Sequence, residues 1–161
     1  MSERTTEPIR RILLATDFSP PANAAVEYAE RLAACTGASL LVLTIRQRLG
    51  SDPTSDESDD QMQRMFEEMC ARVPGVPVEQ LVLGGSPGEV ICWVAQEKAC
   101  DQIVMGTHGR TGILNLLMGS TAEYVVRHAR CPVLTVPSRS NTEEPLKEPN
   151  FGNAMPRIQA L

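Results

Sequence analysis

The stretch DQIVMGTHGRTGILNLLMGSTAEYVVRHARCPVLTVP, residues 101–137, contains two short apolar runs separated by a glycine-rich segment and a helical pattern. The runs DQIVMG and CPVLTVP predict buried strands, and apolar residues at helical spacing predict a helix over residues 119–129. A strand, a helix and a strand in this order indicate parallel strands joined by a crossover. We expect the inner face of this helix to consist of Ala122, Val125, Val126 and Ala129.

The same alternation of patterns continues through the rest of the chain. It predicts, in order, strand 9–16, helix 21–36, strand 38–46, helix 61–73, strand 76–84 and helix 87–98. Gly37 is a helix stop signal, and Ser86 followed by Pro87 is a helix start signal. Strands that alternate with helices predict the α/β class. We therefore expect a doubly wound, five-stranded parallel sheet in the order 3-2-1-4-5, with helices on both faces.

The composition fits one small domain and excludes several classes of function. A chain of 161 residues with 42% hydrophobic and 4% aromatic residues predicts an aliphatic core. The net charge of −5 and the lack of basic clusters argue against nucleic-acid binding. No stretch approaches the roughly 20 apolar residues of a membrane span, and the polar N-terminus lacks a secretory signal, so we expect a cytoplasmic protein. The domain is predicted over residues 1–137, with a flexible tail over residues 138–161.

Four residue types carry expectations about the core and about metal binding. The five cysteines have neither CxxC nor metal-ligand spacing, so we interpret them as reduced, buried thiols: Cys35, Cys70, Cys92, Cys100 and Cys131. Trp93 and the methionines at helical spacing are predicted to lie in the core. The two histidines are too few for a His-rich metal site, and we interpret His108 as a loop residue and His128 as structural. The acidic segment 52–60 is interpreted as a solvated loop.

The predicted ligand site lies where the sheet reverses its winding direction, outside the carboxyl ends of the first and fourth strands. Those strands end in ATDFS and MGTHG. The absent side chains of Gly106 and Gly109 would let backbone N–H groups approach a ligand closely. The helix start at Gly119-Ser120-Thr121 offers free N–H groups and hydroxyls to an anion. The sequence therefore predicts a phosphate site, although it contains neither GxxxxGK[ST] nor GxGxxG.

The spacing of Gly106, Gly109, Gly119 and Ser120 follows G-x2-G-x9-G-[S/T] and resembles the nucleotide-binding signature of the universal stress protein family, in its ATP-binding subclass. The blocks ILLATDFS, IVMGTHGR and GSTAEYVVRHARCPVLTVP are similar to blocks of that family. The resemblance covers residues 8–137 and implies an adenine nucleotide alpha-hydrolase-like fold that binds ATP, AMP or ADP. It implies these nucleotide-binding residues: Ala15, Thr16, Asp17, Ile45, Met105, Gly106, Thr107, Gly109, Arg110, Gly119, Ser120 and Thr121. Any magnesium ion would be held through the phosphates.

Two of the implied residues have alternative interpretations. The Asp17 carboxylate can accept hydrogen bonds from ribose hydroxyls or an exocyclic amine, but an Asp before a helix is also an ordinary turn residue. Arg110 is compatible with a phosphate contact and with a plain surface position. Ile45 would offer apolar contact to a flat base, which is the simplest of the implied roles.

The resemblance implies a regulatory or stress-response protein that binds a nucleotide and hydrolyses it slowly at most. A nucleotide-free dimeric scaffold of the same fold is the alternative. An enzyme of a related fold that activates its substrate with ATP, and a phosphoacceptor receiver, fit the strand-end residues less well. The last predicted strand contains Val133, Leu134, Thr135 and Val136 at a sheet edge, where unpaired backbone groups can bind another chain. We therefore expect a homodimer through this strand, and an unidentified regulatory protein as a further partner.

Overall fold

The computed structural model describes residues 7–46, 56–107 and 118–138, apart from the side chains of residues 56–59. Five parallel strands form one sheet: β1 (Arg11–Ala15), β2 (Ser39–Arg46), β3 (Val78–Gly84), β4 (Gln102–Gly106) and β5 (Val133–Val136). Their order is β3-β2-β1-β4-β5, which confirms the predicted sheet. The predicted tail lies outside the described residues after Ser138.

Within these described residues, four α-helices connect the strands: α1 (Asn23–Thr36), α2 (Asp56–Arg72), α3 (Pro87–Glu97) and α4 (Ser120–His128). Gly37 ends α1 in the left-handed conformation, with φ +73°, and its N–H donates to the Ala33 carbonyl at 2.9 Å. Pro87 begins α3 directly after Ser86, as predicted. Both boundary signals were therefore correct.

Two helix starts differ from the predictions. Residues Pro20–Ala22 form a separate 3-10 turn, and α1 begins at Asn23. Helix α2 begins at Asp56, inside the segment that the sequence predicted to be a loop. Four of its first five residues, DESDD, are acidic. The acidic run is therefore partly a helix start rather than a loop.

Side chains of the central strands point alternately to two apolar cores. Ile12, Leu14 and Val42 pack under α1 and α2, whereas Leu13 and Leu43 pack under α3 and α4. All five are completely buried. Strands covered on both faces require continuous apolar runs, which is the pattern on which the sheet prediction depended.

Three predictions about the core were wrong. Trp93 is 60% exposed, because Ile91, Val94 and Ala95 occupy the inner face of α3. Val126 is 49% exposed, whereas the neighbouring Val125 is completely buried. The thiol of Cys35 is exposed rather than buried.

The other cysteines and the methionines lie closer to the predicted places. All five cysteines are free; Cys100 is buried, and Cys70, Cys92 and Cys131 are half-buried. Burial raises the pKa of the Cys100 thiol to about 11. Met69 is completely buried, and Met62 and Met65 pack at the edge of the same core.

Within residues 7–46, 56–107 and 118–138, no helix is long and apolar enough to cross a membrane. The same residues contain no group of three or more His, Cys, Asp or Glu side chains that could hold a metal ion.

Candidate functional site

The carboxyl ends of β1 and β4 lie side by side at the predicted switch point. Ala15, the last residue of β1, pairs with Met105 of β4 on one side and with Leu43 of β2 on the other. Thr16 follows β1, and Thr107 follows Gly106, the last residue of β4, so both chain segments leave the sheet at the same edge. The crevice between two diverging crossovers is the usual ligand position in sheets of this kind.

The segment after β1 forms a tight turn that its own side chains stabilise. The Thr16 hydroxyl oxygen accepts a hydrogen bond from the Phe18 N–H at 3.0 Å, and Asp17 Oδ1 accepts one from the Ser19 N–H at 3.0 Å. Phe18 has a φ of +54°, which is unfavourable for a bulky residue. Backbone strain of this kind costs about 1–3 kcal/mol and is concentrated at functional sites.

Asp17 therefore has the turn role that the sequence offered as one of its two interpretations, and this role is compatible with a ligand contact. One carboxylate oxygen binds the Ser19 N–H, and the side chain is only half-buried at the rim of the crevice. A carboxylate has several acceptor sites, so a hydrogen bond to the turn does not use up its capacity.

A backbone hydrogen bond joins the end of β4 to the start of α4. The Gly119 N–H donates to the Thr107 carbonyl at 2.8 Å, and the Thr107 N–H donates to the Val136 carbonyl of β5 at 3.0 Å. Gly119 precedes α4 with φ −71° and ψ 155°, an extended conformation open to any residue. Gly119 is thus a connecting residue, and its own N–H is not one of the free donors that the sequence predicted.

The N–H groups at the start of α4 that lack a partner inside the helix belong to the next three residues. The Glu123 N–H donates to the Gly119 carbonyl at 3.0 Å, which is the first hydrogen bond inside this helix. The N–H groups of Ser120, Thr121 and Ala122 consequently have no partner within the helix. Ser120 is exposed and Thr121 is half-buried.

The remaining described residues of the predicted site contribute mainly backbone. Ala15, Thr16, Met105 and Thr107 are 5–9% exposed, and the Ala15 and Met105 side chains belong to the core under α3 and α4. Ile45 is half-buried near the end of β2, where its side chain is accessible in part. Gly109 and Arg110 lie outside the described residues, as does His108.

Two hydroxyls near this edge of the sheet were not predicted. Ser19 Oγ and Thr44 Oγ1 are buried and have no hydrogen-bond partner within the described residues. Ser19 follows β1, and Thr44 lies near the end of β2. Buried polar groups without partners are rare, and an unseen ligand or water is one explanation for them. The sequence signal for Ser19 was its place in ATDFS, two residues after Asp17.

The donor set suits an adenylate. Free helix N–H groups and hydroxyls at Ser120 and Thr121 match a phosphate, since helix N-termini favour anions. Asp17 offers an acceptor to hydroxyl or amine groups, and Ile45 offers an apolar surface. The described residues thus offer hydrogen-bond donors, a carboxylate and an apolar side chain along one edge of the sheet.

A family model described as "Universal stress protein family" matches residues 8–137. A universal stress protein of Thermus aquaticus, from the 3′ region of a QAH/OAS sulfhydrylase gene, is 37% identical over 135 residues, which cover 79% of this chain and 98% of that protein.

Two solved structures show the same fold. The protein MJ0577 of Methanocaldococcus jannaschii has a TM-score of 0.74 at 24% identity, covering 84% of this chain and 99% of that chain. A universal stress protein in complex with cAMP has a TM-score of 0.65 at 23% identity, covering 82% and 99%. With the family model matching most of its length, this chain belongs to the universal stress protein family.

Proposed function

We propose that this protein binds an adenine nucleotide, ATP or one of its relatives AMP and ADP, at the carboxyl ends of β1 and β4, as members of the ATP-binding subclass do. The observation that carries the proposal is the 2.8 Å hydrogen bond from the Gly119 N–H to the Thr107 carbonyl. It places the start of α4, with its free N–H groups, against the end of β4. A structural neighbour crystallised with cAMP supports the chemistry, since cAMP is an adenine nucleotide.

In this proposal each described residue has a separate task. The N–H groups of Ser120 and Thr121 donate to phosphate oxygens, and their hydroxyls add further donors. Asp17 accepts from the ribose or the exocyclic amine, and Ile45 packs against the base. Ala15, Thr16, Met105, Gly106 and Thr107 set the backbone of the two strand ends. Gly109 and Arg110 are included as phosphate-binding residues because of the sequence signature alone.

The proposed function is binding rather than turnover. Efficient phosphoryl transfer requires a positioned water, metal ligands and a charge-stabilising Lys or Arg. The described donors are neutral N–H and hydroxyl groups, which stabilise a bound phosphate without activating a nucleophile. We expect ATP hydrolysis to be slow at most, with magnesium, if required, bound through the phosphates.

The proposal includes a cytoplasmic homodimer. Strand β5 pairs only with β4 in the described sheet, and its four residues are half-buried in the single chain. Val126, which is 49% exposed, adds an apolar side chain on the neighbouring α4. A second copy of β5 would cover this edge, and a nucleotide-dependent change at the surface would be available to a regulatory partner.

Released ligand and direct titration test the proposal together. The protein purified from a heterologous host is denatured, and the supernatant is analysed by mass spectrometry for adenine nucleotides. The stripped protein is then titrated calorimetrically with ATP, ADP, AMP and cAMP, with GTP as the control for the base. Binding of an adenine nucleotide at near one per chain supports the proposal. No binding of any of them would leave the nucleotide-free scaffold as the better interpretation.

A further inference from the structure

Tyr124 of α4 lies directly against Gly88 in the first turn of α3. A Cβ atom at residue 88 would be 2.6 Å from Cδ1, 2.8 Å from Cγ and 3.0 Å from Cβ of Tyr124. Carbon atoms pack at about 3.5–4.0 Å, so a side chain at this position would force the ring or its helix to move. Glycine is unfavourable inside a helix, which makes its presence at residue 88 informative.

The ring of Tyr124 is also confined from within α4. It stacks on the His128 ring with a centroid distance of 4.1 Å and an interplanar angle of 23°. Nδ1 of His128 lies 2.7 Å from the Tyr124 carbonyl oxygen, which can only accept, so Nδ1 donates. Tyr124 is 36% exposed, but its Cβ is fixed to the α4 backbone and lies 3.0 Å from the added atom, so turning the ring alone does not relieve the contact.

Tyr124 lies one helical turn after Ser120, so a displacement of its ring is transmitted along α4 to the first turn. We propose that the contact between Gly88 and Tyr124 sets the position of the α4 N-terminus. Both are then positioning residues for the phosphate-binding N–H groups of Ser120 and Thr121. This inference rests on the proposed function, since it concerns the affinity for the same nucleotide.

The test compares Gly88→Ala with the unmodified protein in titrations with ATP and with adenosine. Misplacing one charge-assisted hydrogen bond weakens binding by about tenfold or more, so we expect that loss for ATP. Adenosine has no phosphate and should bind both proteins equally. The matched control is Gly84→Ala, whose Cβ would meet only the Arg46 carbonyl oxygen at 3.9 Å, and we expect it to bind ATP normally.

A double variant separates the specific contact from general destabilisation. Tyr124→Ala removes the ring and with it the obstacle, so adding Gly88→Ala should cause no further loss of ATP affinity. Additive losses in the double variant would overturn the inference. If Gly88→Ala does not fold, Tyr124→Leu is measured alone: weaker ATP binding supports the inference, and unchanged binding overturns it.

The two proposals fail in different ways. If the unmodified protein binds no adenine nucleotide, the proposed function is overturned and the positioning role with it. If the unmodified protein binds ATP and Gly88→Ala binds it equally well, only the positioning role is overturned. An equal loss of ATP and adenosine affinity would likewise contradict a role confined to the phosphate side.

Discussion

Arg72 of α2 forms an ion pair with Glu30 of α1, with 2.7 Å between Nη2 of the guanidinium and Oε1 of the carboxylate. Nε of Arg72 also donates to both carboxylate oxygens, at 3.0 and 3.2 Å. The Glu30 side chain is 9% exposed and that of Arg72 is 50% exposed. This pair joins the two helices that cover one face of the sheet, and the hydrogen bonds to Glu30 raise the pKa of Arg72 further.

Arg72→Met should lower the free energy of unfolding by about 1–3 kcal/mol, because it leaves a buried carboxylate without its partner. Because the guanidinium is half-exposed, we expect a smaller loss of stability than for a fully buried ion pair. Urea denaturation measures it. The matched control is Arg127→Met, which removes a 2.7 Å pair with Glu123 between two exposed side chains and should cost about 0.5 kcal/mol or less. Equal losses in the two variants would contradict this prediction.

Alkaline pH should destabilise the protein through Cys100. Burial raises the pKa of its thiol from its ordinary value of 9.0 to about 11. Between these values the unfolded chain releases a proton that the folded chain retains. The stabilising contribution is therefore complete below the ordinary thiol pKa, and it falls by at most about 1.4 kcal/mol per pH unit as the pH rises toward the folded value.

Urea denaturation at pH 8, 9 and 10 measures this slope. Cys100→Ala should show a shallower decrease, while Cys35→Ala, at an exposed position, should retain the full decrease. Burial also raises the pKa of Cys70, Cys92 and Cys131, so part of the slope should remain in Cys100→Ala. An identical slope in all three proteins would show that Cys100 titrates normally.

The strands and helices could be predicted because they depend on patterns that are visible in each segment of the sequence by itself. Runs such as ILLA and LLVL require burial on both faces, and Gly37 and Pro87 have conformational properties of their own. Trp93 and Val126 could not be assigned in this way. An apolar residue adjacent to the inner face of a helix is buried or exposed according to the neighbouring element, which local spacing does not specify.

The site shows the same limit. The residues at the ends of β1 and β4 follow from the sheet order, but the hydrogen bond between Gly119 and Thr107 depends on how the intervening chain returns. Gly88 was not predicted to be special, because its requirement for glycine arises from Tyr124 on another helix. Asp17 was predicted with two interpretations, and the turn hydrogen bond to Ser19 is compatible with both.

Ser120→Asp should weaken ATP binding by about tenfold or more while the fold is retained. An aspartate in the first helical turn interacts favourably with the helix dipole, so stability should not suffer. The same charge repels a phosphate at that position, and the loss of affinity follows from placing like charges close together. Calorimetric titration with ATP and with adenosine measures it, and adenosine should be affected far less.

Gln96→Glu is the matched control for this substitution. It adds the same charge at an exposed position near the end of α3, eight residues or about 12 Å along the helix from Gly88, and should leave ATP affinity within about twofold of the unmodified protein, since exposed charges are screened beyond about 10 Å. If the two variants lose affinity equally, overall charge explains the effect and the α4 N-terminus does not hold the phosphates.

Thr135→Pro should convert the proposed homodimer into a monomer. Val136 accepts a hydrogen bond from Thr107, and Pro132 accepts one from Ile103. Because bonding groups alternate along a parallel strand, the N–H of Thr135 points away from β4 to the outer edge. Proline at such an edge position removes an outward donor without breaking the ladder, so the monomer itself should remain folded.

Gln80→Pro provides the comparison on the opposite edge of the sheet. The Leu40 N–H donates to the Pro77 carbonyl, and the same alternation directs the N–H of Gln80 away from β2. Analytical ultracentrifugation at micromolar concentration should therefore show a monomer for Thr135→Pro and a dimer for Gln80→Pro. If the unmodified protein is a monomer, the proposed dimer is wrong. If Thr135→Pro remains a dimer, the two copies do not pair through β5, because the pairing requires the outward N–H and carbonyl groups of this strand.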